Sequence, residues 1–504
     1  MKGHPIYSIL SCLLGNRTRR WLLSLVAMAI TLSIINGYLL YKSPRQTGTE
    51  TTEQNGMGTE SSHKSPTLWI YHDKDRPLHH VMTVFSRAGY ALDGGPGGDW
   101  HILWSHKYPF KTLSPSLGAS LRPHQRINHY PGTGCFVSKP SLASLPFSYI
   151  PKAFRLPQQA QQLREEAAAH PEKLWVQKNN LHRGIKVKPI DKVSFAVDGK
   201  FVQEFITNPL LLGGRKFDIG VYTAITSIDP LRVYIYHEEL LLRFCSKDYR
   251  PFRASDPKQY VVDDEYTPVW EIPSLADLYQ NQKLSCKQTL NTALQTLGHD
   301  PRRVWDQVNS ITTEVLHHCH PNLIKQTKKF SSSPRHFFEL VRFDFIIDDQ
   351  LKVWLMEVNL SPNLSSGHTL GNRFMYEQVL FNLLSLVGAV RRGGPDMQYN
   401  GEHESVVLVS DRDTQLPLPQ CWNGSCSSCS AAPPATFCQL CPSCQTPELS
   451  LVLKEAFLEH VESRNFHRLI PALSLQTPPT ATPTDRLMHA WFAGKCKDNA
   501  RWCN

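Results

Sequence analysis

Three side chains late in the central region have the types and spacing of a divalent-cation site: Asp344, Glu357 and Asn359. They lie in a run from Phe338 to Asn359 in which two β-branched and aromatic stretches flank Asp348-Asp349-Gln350, a polar turn, and this pattern predicts an antiparallel hairpin. Folding the run about its turn brings Asp344 nearly opposite residues 355–357, and strand alternation puts Glu357 and Asn359 on one face. Two carboxylates and an amide oxygen converging among apolar residues repel one another unless a cation lies between them. Hard oxygen donors suit Mg²⁺, which keeps a few protein oxygens and completes its shell with water and substrate phosphates.

The elements that must position this hairpin run from about Leu68 to Val387 without a long breaker-rich gap. Leu68-Trp69-Ile70-Tyr71 reads as a strand, Pro157 to Pro171 as a helix, Phe201 to Thr207 as a strand, Ile219 to Ile228 and Leu231 to His237 as strands, and Arg303 to His318 as a helix. Alternating strands and helices predict an α/β or α+β enzyme, and no repeat at solenoid or propeller period is present. A chain of 504 residues has ample length for a large core. Its net charge of +10 suggests acidic partners, whether nucleotide phosphates, an acidic polypeptide or a membrane surface, but the excess is spread thinly, and no nucleic-acid partner is expected. The His317-His318-Cys319-His320 cluster has no CxxC partner nearby and reads as a helix end with ordinary histidines rather than a zinc site.

Both ends carry their own signals. From Trp21 to Tyr41 no Asp, Glu, Lys or Arg occurs, a stretch long enough to span a bilayer core and too long for a signal-peptide apolar region. Lys2, Arg17, Arg19 and Arg20 precede it and only Lys42 and Arg45 follow closely, so the expectation is a signal anchor with residues 1–20 cytoplasmic and the bulk of the chain lumenal or extracellular. Residues 42–67 are polar and form the expected stalk, residues 68–390 the catalytic domain, and residues 391–504 a Cys-rich extension. Eight of the thirteen cysteines lie beyond residue 420. In a reducing compartment Cys426, Cys429, Cys438 and Cys441 would suit zinc; facing a lumen, disulfides are the better reading, with Cys496 and Cys503 placed to bridge each other. Asn359, Asn363 and Asn423 stand in glycosylation sequons.

The hairpin ends in Glu357-Val358-Asn359-Leu360-Ser361-Pro362, which resembles the Glu-Val-Asn-Xaa-Ser-Pro motif of the tubulin tyrosine ligase-like family of the ATP-grasp superfamily. Asp99 to Trp104, Gln125 to Thr133, Tyr149 to Pro157, Val202 to Ile206, Arg215 to Ile219 and Asp229 to Arg232 resemble further signatures of that family, in its order, over about residues 68–388. The resemblance implies an ATP-grasp fold with an N-terminal tubulin tyrosine ligase-like subdomain. It also implies a ligase in which a protein carboxylate is activated by ATP and attacked by the amine of a free amino acid, usually glutamate, glycine or tyrosine, with tubulin the usual acidic acceptor. By the same resemblance, Asp344, Glu357 and Asn359 hold Mg²⁺, Lys178 meets phosphate oxygens, Lys216 with Asp218 line the nucleotide, Gln203, Glu204 and Phe205 form the adenine strand, and Arg243 contacts the phosphate or acylphosphate.

Three positions depart from the family pattern. The phosphate loop Lys178-Asn179-Asn180-Leu181-His182-Arg183-Gly184-Ile185 is short and holds one glycine. Gly220 stands where the family has a nucleotide-contacting arginine, so Arg183 or Lys186 would supply the cation. Arg342 replaces a family glycine two residues before Asp344, on the same strand face, and is a second route for relocating that charge. These departures leave a catalytically impaired, membrane-anchored lumenal binding protein as the alternative to an active ligase.

Overall fold

The computed structural model describes residues 65–71, 78–178, 185–195, 200–263, 265–362, 364, 370–390, 409–423, 426, 429, 437–473 and 480–503, except the side chains of Lys178, Lys200 and Leu370. The expected anchor at 21–41 and stalk at 42–67 therefore lie outside the described residues, apart from the last three stalk positions. Among the described residues no helix is long and apolar enough to cross a membrane.

The centre of the fold is an eight-stranded sheet built around Arg215–Ile228. This long strand pairs with Leu241–Phe244 and Leu231–Tyr236 along one edge and with Glu339–Ile347 along the other, all antiparallel. Glu339–Ile347 in turn pairs with Val353–Asn359, so the predicted hairpin forms with Asp344 opposite Glu357. Its turn is held by the buried Asp348 carboxylate, which accepts from the backbone N–H groups of Gln350 and Lys352 and from Trp354 Nε1.

Period-two alternation gives this sheet two different faces. Ile219, Val221, Ile225, Leu242, Phe244, Val341, Phe343 and Phe345 point into the main core, against Val308, Ile311, Val315 and Leu316 of the helix Arg302–Phe330. The opposite face carries Asp218, Gly220, Arg243, Arg342 and Asp344, with Tyr222, Ala224 and Leu340 packing beyond them against the helix Arg373–Leu386. Two smaller sheets flank the centre. Leu68–Tyr71, Ile102–Ser105 and Arg126–Ile127 form a parallel one, and Ala153–Leu156, Lys200–Glu204, Trp175–Lys178 and Lys186–Lys188 an antiparallel one.

The helix expected to end at His318 continues to Phe330, with Pro321 inside it. Its histidines therefore sit in mid-helix. Tertiary contacts outweigh the proline: Cys319 is bridged to Cys135, the buried His320 Nε2 lies 2.6 Å from the Ile228 carbonyl, and Leu323 is wholly buried. The C-terminal extension folds around Leu453, Trp491, Phe492 and Trp502. Its strand Phe466–Ile470, which the sequence pattern did not single out, pairs with Leu231–Tyr236 and extends the central sheet. Disulfides join Cys421 to Cys441, Cys426 to Cys438, Cys429 to Cys444 and Cys496 to Cys503. Cys245 and Cys286 are buried thiols.

Candidate functional site

The hairpin register places Arg342 opposite Asn359 and Asp344 opposite Glu357, while the neighbouring pairs set Asp344 beside Gly220 and Asp218 beside Arg243. Strand geometry alone therefore gathers six of these side-chain positions within two residues of one another along four adjacent strands. Asp344 is nearly inaccessible and accepts four hydrogen bonds: Arg342 Nε to Oδ1 at 2.6 Å, and Arg342 Nη2, Asn359 Nδ2 and Arg243 Nη2 to Oδ2 at 2.8, 2.9 and 3.0 Å. Arg243 also forks onto Asp218 through Nε at 2.8 Å and Nη2 at 2.9 Å. Glu357 Oε1 receives Asn359 Nδ2 at 3.3 Å, and its Oε2 pairs with Lys139 Nζ at 2.8 Å.

The electrostatics follow from burial and pairing. Burial lifts Asp218 to about 6, with Arg243 pulling the other way and Asp344 adding to the rise. Burial also works against ionised Glu357, yet the Lys139 ammonium and, behind it, Arg342 hold that carboxyl at about 2. Arg342 and Arg243 lose solvation, but their carboxylate neighbours keep both guanidinium groups charged well above the ordinary range. Three carboxylates thus face three fixed cations.

The donor set suits a hard divalent ion. The Asn359 amide nitrogen reaches both Asp344 Oδ2 and Glu357 Oε1, so it stands between the two carboxylates as a partially positive group. Turning that amide would present its oxygen instead and free one acceptor position on each carboxylate.

The nucleotide-lining candidates divide. Lys216 is buried, donates through Nζ to the Tyr260 carbonyl at 2.9 Å and lies 5.3 Å from the Phe205 ring centre, and burial lowers its pKa. Gln203 is buried beside them, its Nε2 donating to the Pro151 carbonyl at 3.0 Å. Glu204 alternates to the other face and pairs with Lys173 at 3.3 Å. Its side chain does not join the group. Lys178 ends the strand Trp175–Lys178 with its side chain outside the described residues, as is all of Arg183.

Lys139 was not singled out from the sequence. It opens the short helix Lys139–Leu142 just past the Gln125 to Thr133 stretch, and the one signal was a lysine following a signature segment. His129 and Glu339 were missed too. His129 Nδ1 lies 2.7 Å from Glu339 Oε1, and Glu339 Oε2 accepts the Tyr130 N–H at 3.1 Å, both groups buried. This pair fastens that stretch to the hairpin strand and puts His129 Nε2 3.5 Å from the Ser361 hydroxyl.

Residues 119–392, more than half of the chain, match the model of the Tubulin-tyrosine ligase family. The chain belongs to that family. "Probable tubulin polyglutamylase ttll-15" of Caenorhabditis elegans is 39% identical over 439 residues, 84% of each chain. "Tubulin monoglutamylase TTLL4" of Homo sapiens is 30% identical over 318 residues, 59% of this chain and 26% of its own length. "Tubulin polyglutamylase TTLL6" of Mus musculus is 26% identical over 355 residues, 66% of this chain and 41% of its own. The mixed α/β architecture is consistent with the ATP-grasp fold of the tubulin-tyrosine ligase family, and the chain is a family ligase related to the tubulin polyglutamylases.

Proposed function

We propose that this chain is an ATP- and Mg²⁺-dependent ligase that adds glutamate to a carboxylate of an acidic protein. In that reaction the acceptor carboxylate is activated as an acylphosphate at the expense of ATP, and the amino group of glutamate displaces the phosphate. The observation that carries the reading is the convergence of Asp344, Glu357 and Asn359 on one sheet face with Arg243 bridging Asp344 and Asp218. A bound Mg²⁺, held by Asp344, Glu357 and Asn359, would screen the polyphosphate charge during transfer. Arg243 is held rigidly by two carboxylates, so it can present fixed positive charge where charge grows on the transferring group without reorganising. Lys216, buried and packed over Phe205, offers a point charge to a phosphate oxygen, and the strand carrying Gln203, with Phe205 just past its end, lies beside it.

Tubulin and glutamate are what the relatives' names suggest. We place the folded region on the lumenal or extracellular side of a membrane. The charge bias around residues 21–41 supports this, and so do five disulfides, which persist in oxidising compartments. The acceptor there would be an acidic protein other than cytoplasmic tubulin.

A non-catalytic binding protein is the second reading, favoured by one observation: each site carboxylate is already paired with a cation of the protein itself. Full-length chain supplied with ATP, Mg²⁺, tritiated glutamate and acidic acceptor proteins separates the two. Incorporation above that of Glu357→Gln is expected, and equal incorporation by both would leave the binding reading. Endoglycosidase treatment of the full-length chain made in cells is expected to shift its mobility through Asn423 or Asn363. An unshifted chain whose folded region is open to protease from the cytoplasmic side would reverse the orientation.

A further inference from the structure

Gly220 faces the site with no side chain, and the reason lies across the strand pair. A Cβ built on Gly220 would come within 2.7 Å of Arg342 Cδ, 2.9 Å of its Nε and 3.1 Å of Asp344 Oδ1. The Arg342 side chain fills the space above Gly220, and from there Nε and Nη2 fork onto both oxygens of Asp344. Arg342 is only 4% exposed and Asp344 2%. A guanidinium so buried cannot exchange a lost partner for water without cost.

The consequence falls on Asp344. Its Oδ2 accepts from Arg342 Nη2, Arg243 Nη2 and Asn359 Nδ2, whereas Oδ1 accepts from Arg342 Nε and faces the space above Gly220 that the arginine fills. The amide can turn away from Oδ2, and Arg243 keeps its fork on Asp218 if it yields there, whereas withdrawing Arg342 breaks its fork on Asp344. Asp344 can therefore lend a single oxygen, Oδ2, to a single ion. Its Oδ1 is committed to Arg342.

We propose that Arg342, seated over Gly220, is a built-in cation that closes Asp344 Oδ1 to a divalent ion, so that this site takes one Mg²⁺ per nucleotide. Arg342 acts as a positioning residue, through Asp344. The proposal rests on the ligase reading above and makes its metal stoichiometry definite. Gly220 is its necessary counterpart, since any larger residue there pushes the guanidinium off Asp344.

The test titrates the full-length chain with Mn²⁺ in the presence of a non-hydrolysable ATP analogue, counting bound ions by electron paramagnetic resonance. Wild type is expected to bind one ion, and Arg342→Gly two. Gly220→Ala, which keeps the arginine but displaces it, is expected to bind two as well, and it carries the test if Arg342→Gly is recovered unfolded. Thermal unfolding of the double-substitution cycle reads the coupling without any ligand: Gly220→Ala should lower the melting temperature in wild type and leave it nearly unchanged in Arg342→Gly. One ion in every variant, or additive losses in the cycle, overturns the proposal while leaving the ligase reading standing. No Mn²⁺ bound by any of them overturns both.

Discussion

Glu459 ties the C-terminal extension to the central sheet, and replacing it by alanine is expected to be strongly destabilising. The residue lies near the end of the helix Pro447–Val461 and accepts four hydrogen bonds from the sheet: Arg232 Nε at 2.8 Å, Arg232 Nη2 at 2.9 Å, the Thr226 hydroxyl at 2.9 Å and the Tyr234 hydroxyl at 3.2 Å. Arg232 is 2% exposed, so Glu459→Ala leaves a buried guanidinium without its hydrogen-bonded carboxylate, with Glu455 3.8 Å away, and the expected loss is about 3–5 kcal/mol. For a chain of this size that corresponds to a fall in melting temperature of about 3–5 °C. Glu455→Ala is the control, because Glu455 stands 3.8 Å from Arg232 and otherwise pairs with the surface residue Arg335; it should cost no more than about 1 kcal/mol. Replacing both partners, Arg232→Met with Glu459→Leu, removes the buried charges together and should restore most of the stability. Urea unfolding followed by tryptophan fluorescence, alongside calorimetry, measures all four chains. A loss under about 1 kcal/mol for Glu459→Ala, or an apolar pair as unstable as the single variant, would refute the reasoning.

Other outcomes are equally definite. Cys135→Ser with Cys319→Ser opens a loop closed across 184 residues and should cost about 2–5 kcal/mol in non-reducing calorimetry, with no further loss on adding dithiothreitol beyond that from the C-terminal bridges. Lys216→Met should weaken ATP binding roughly 10- to 100-fold by isothermal titration, the worth of one charge-assisted contact, whereas Glu204→Ala, whose side chain faces the other way, should leave it within about twofold. Burial lifts Glu239 from its ordinary 4.5 to about 7, against the pull of the N–H groups of Leu240 and Lys287. Between those two values the folded chain binds a proton that the unfolded chain has lost, so this group makes stability fall as pH rises from 4.5 to 7. Glu239→Gln should flatten the melting temperature across that window, and an unchanged slope would show that the group is not the source.

The hairpin was legible because a period of two survives in sequence: apolar residues alternate with Arg342 and Asp344, a polar turn follows, and Glu357 and Asn359 resume the same face. Gly220 and Arg342 stood out as departures from a pattern. What joins them is that the Arg342 side chain fills the space a Cβ on Gly220 would need, which depends on register and cannot be read from either residue. Lys139 reaches Glu357 only through the packing of a short helix against the hairpin, and Cys135 meets Cys319 only once the long helix is docked, so neither pairing leaves a local trace. The helix end expected at His318 failed for the converse reason. A local breaker, Pro321, was outweighed by contacts made far away in sequence. Phe466–Ile470 interleaves charged and polar residues with apolar ones over five positions, too short a stretch to distinguish from a loop until its partner strand is known.

That late strand has a bearing on how the chain is made. Val233 finds its neighbour in Ile470, some 237 residues further along, so a ribosome must deliver all of that intervening chain before the Leu231–Tyr236 edge is covered. Throughout that interval a wholly buried row of apolar and aromatic residues presents unpaired backbone to whatever lies nearby. A nonsense change anywhere before residue 466 would therefore leave that border of the central sheet open and adhesive.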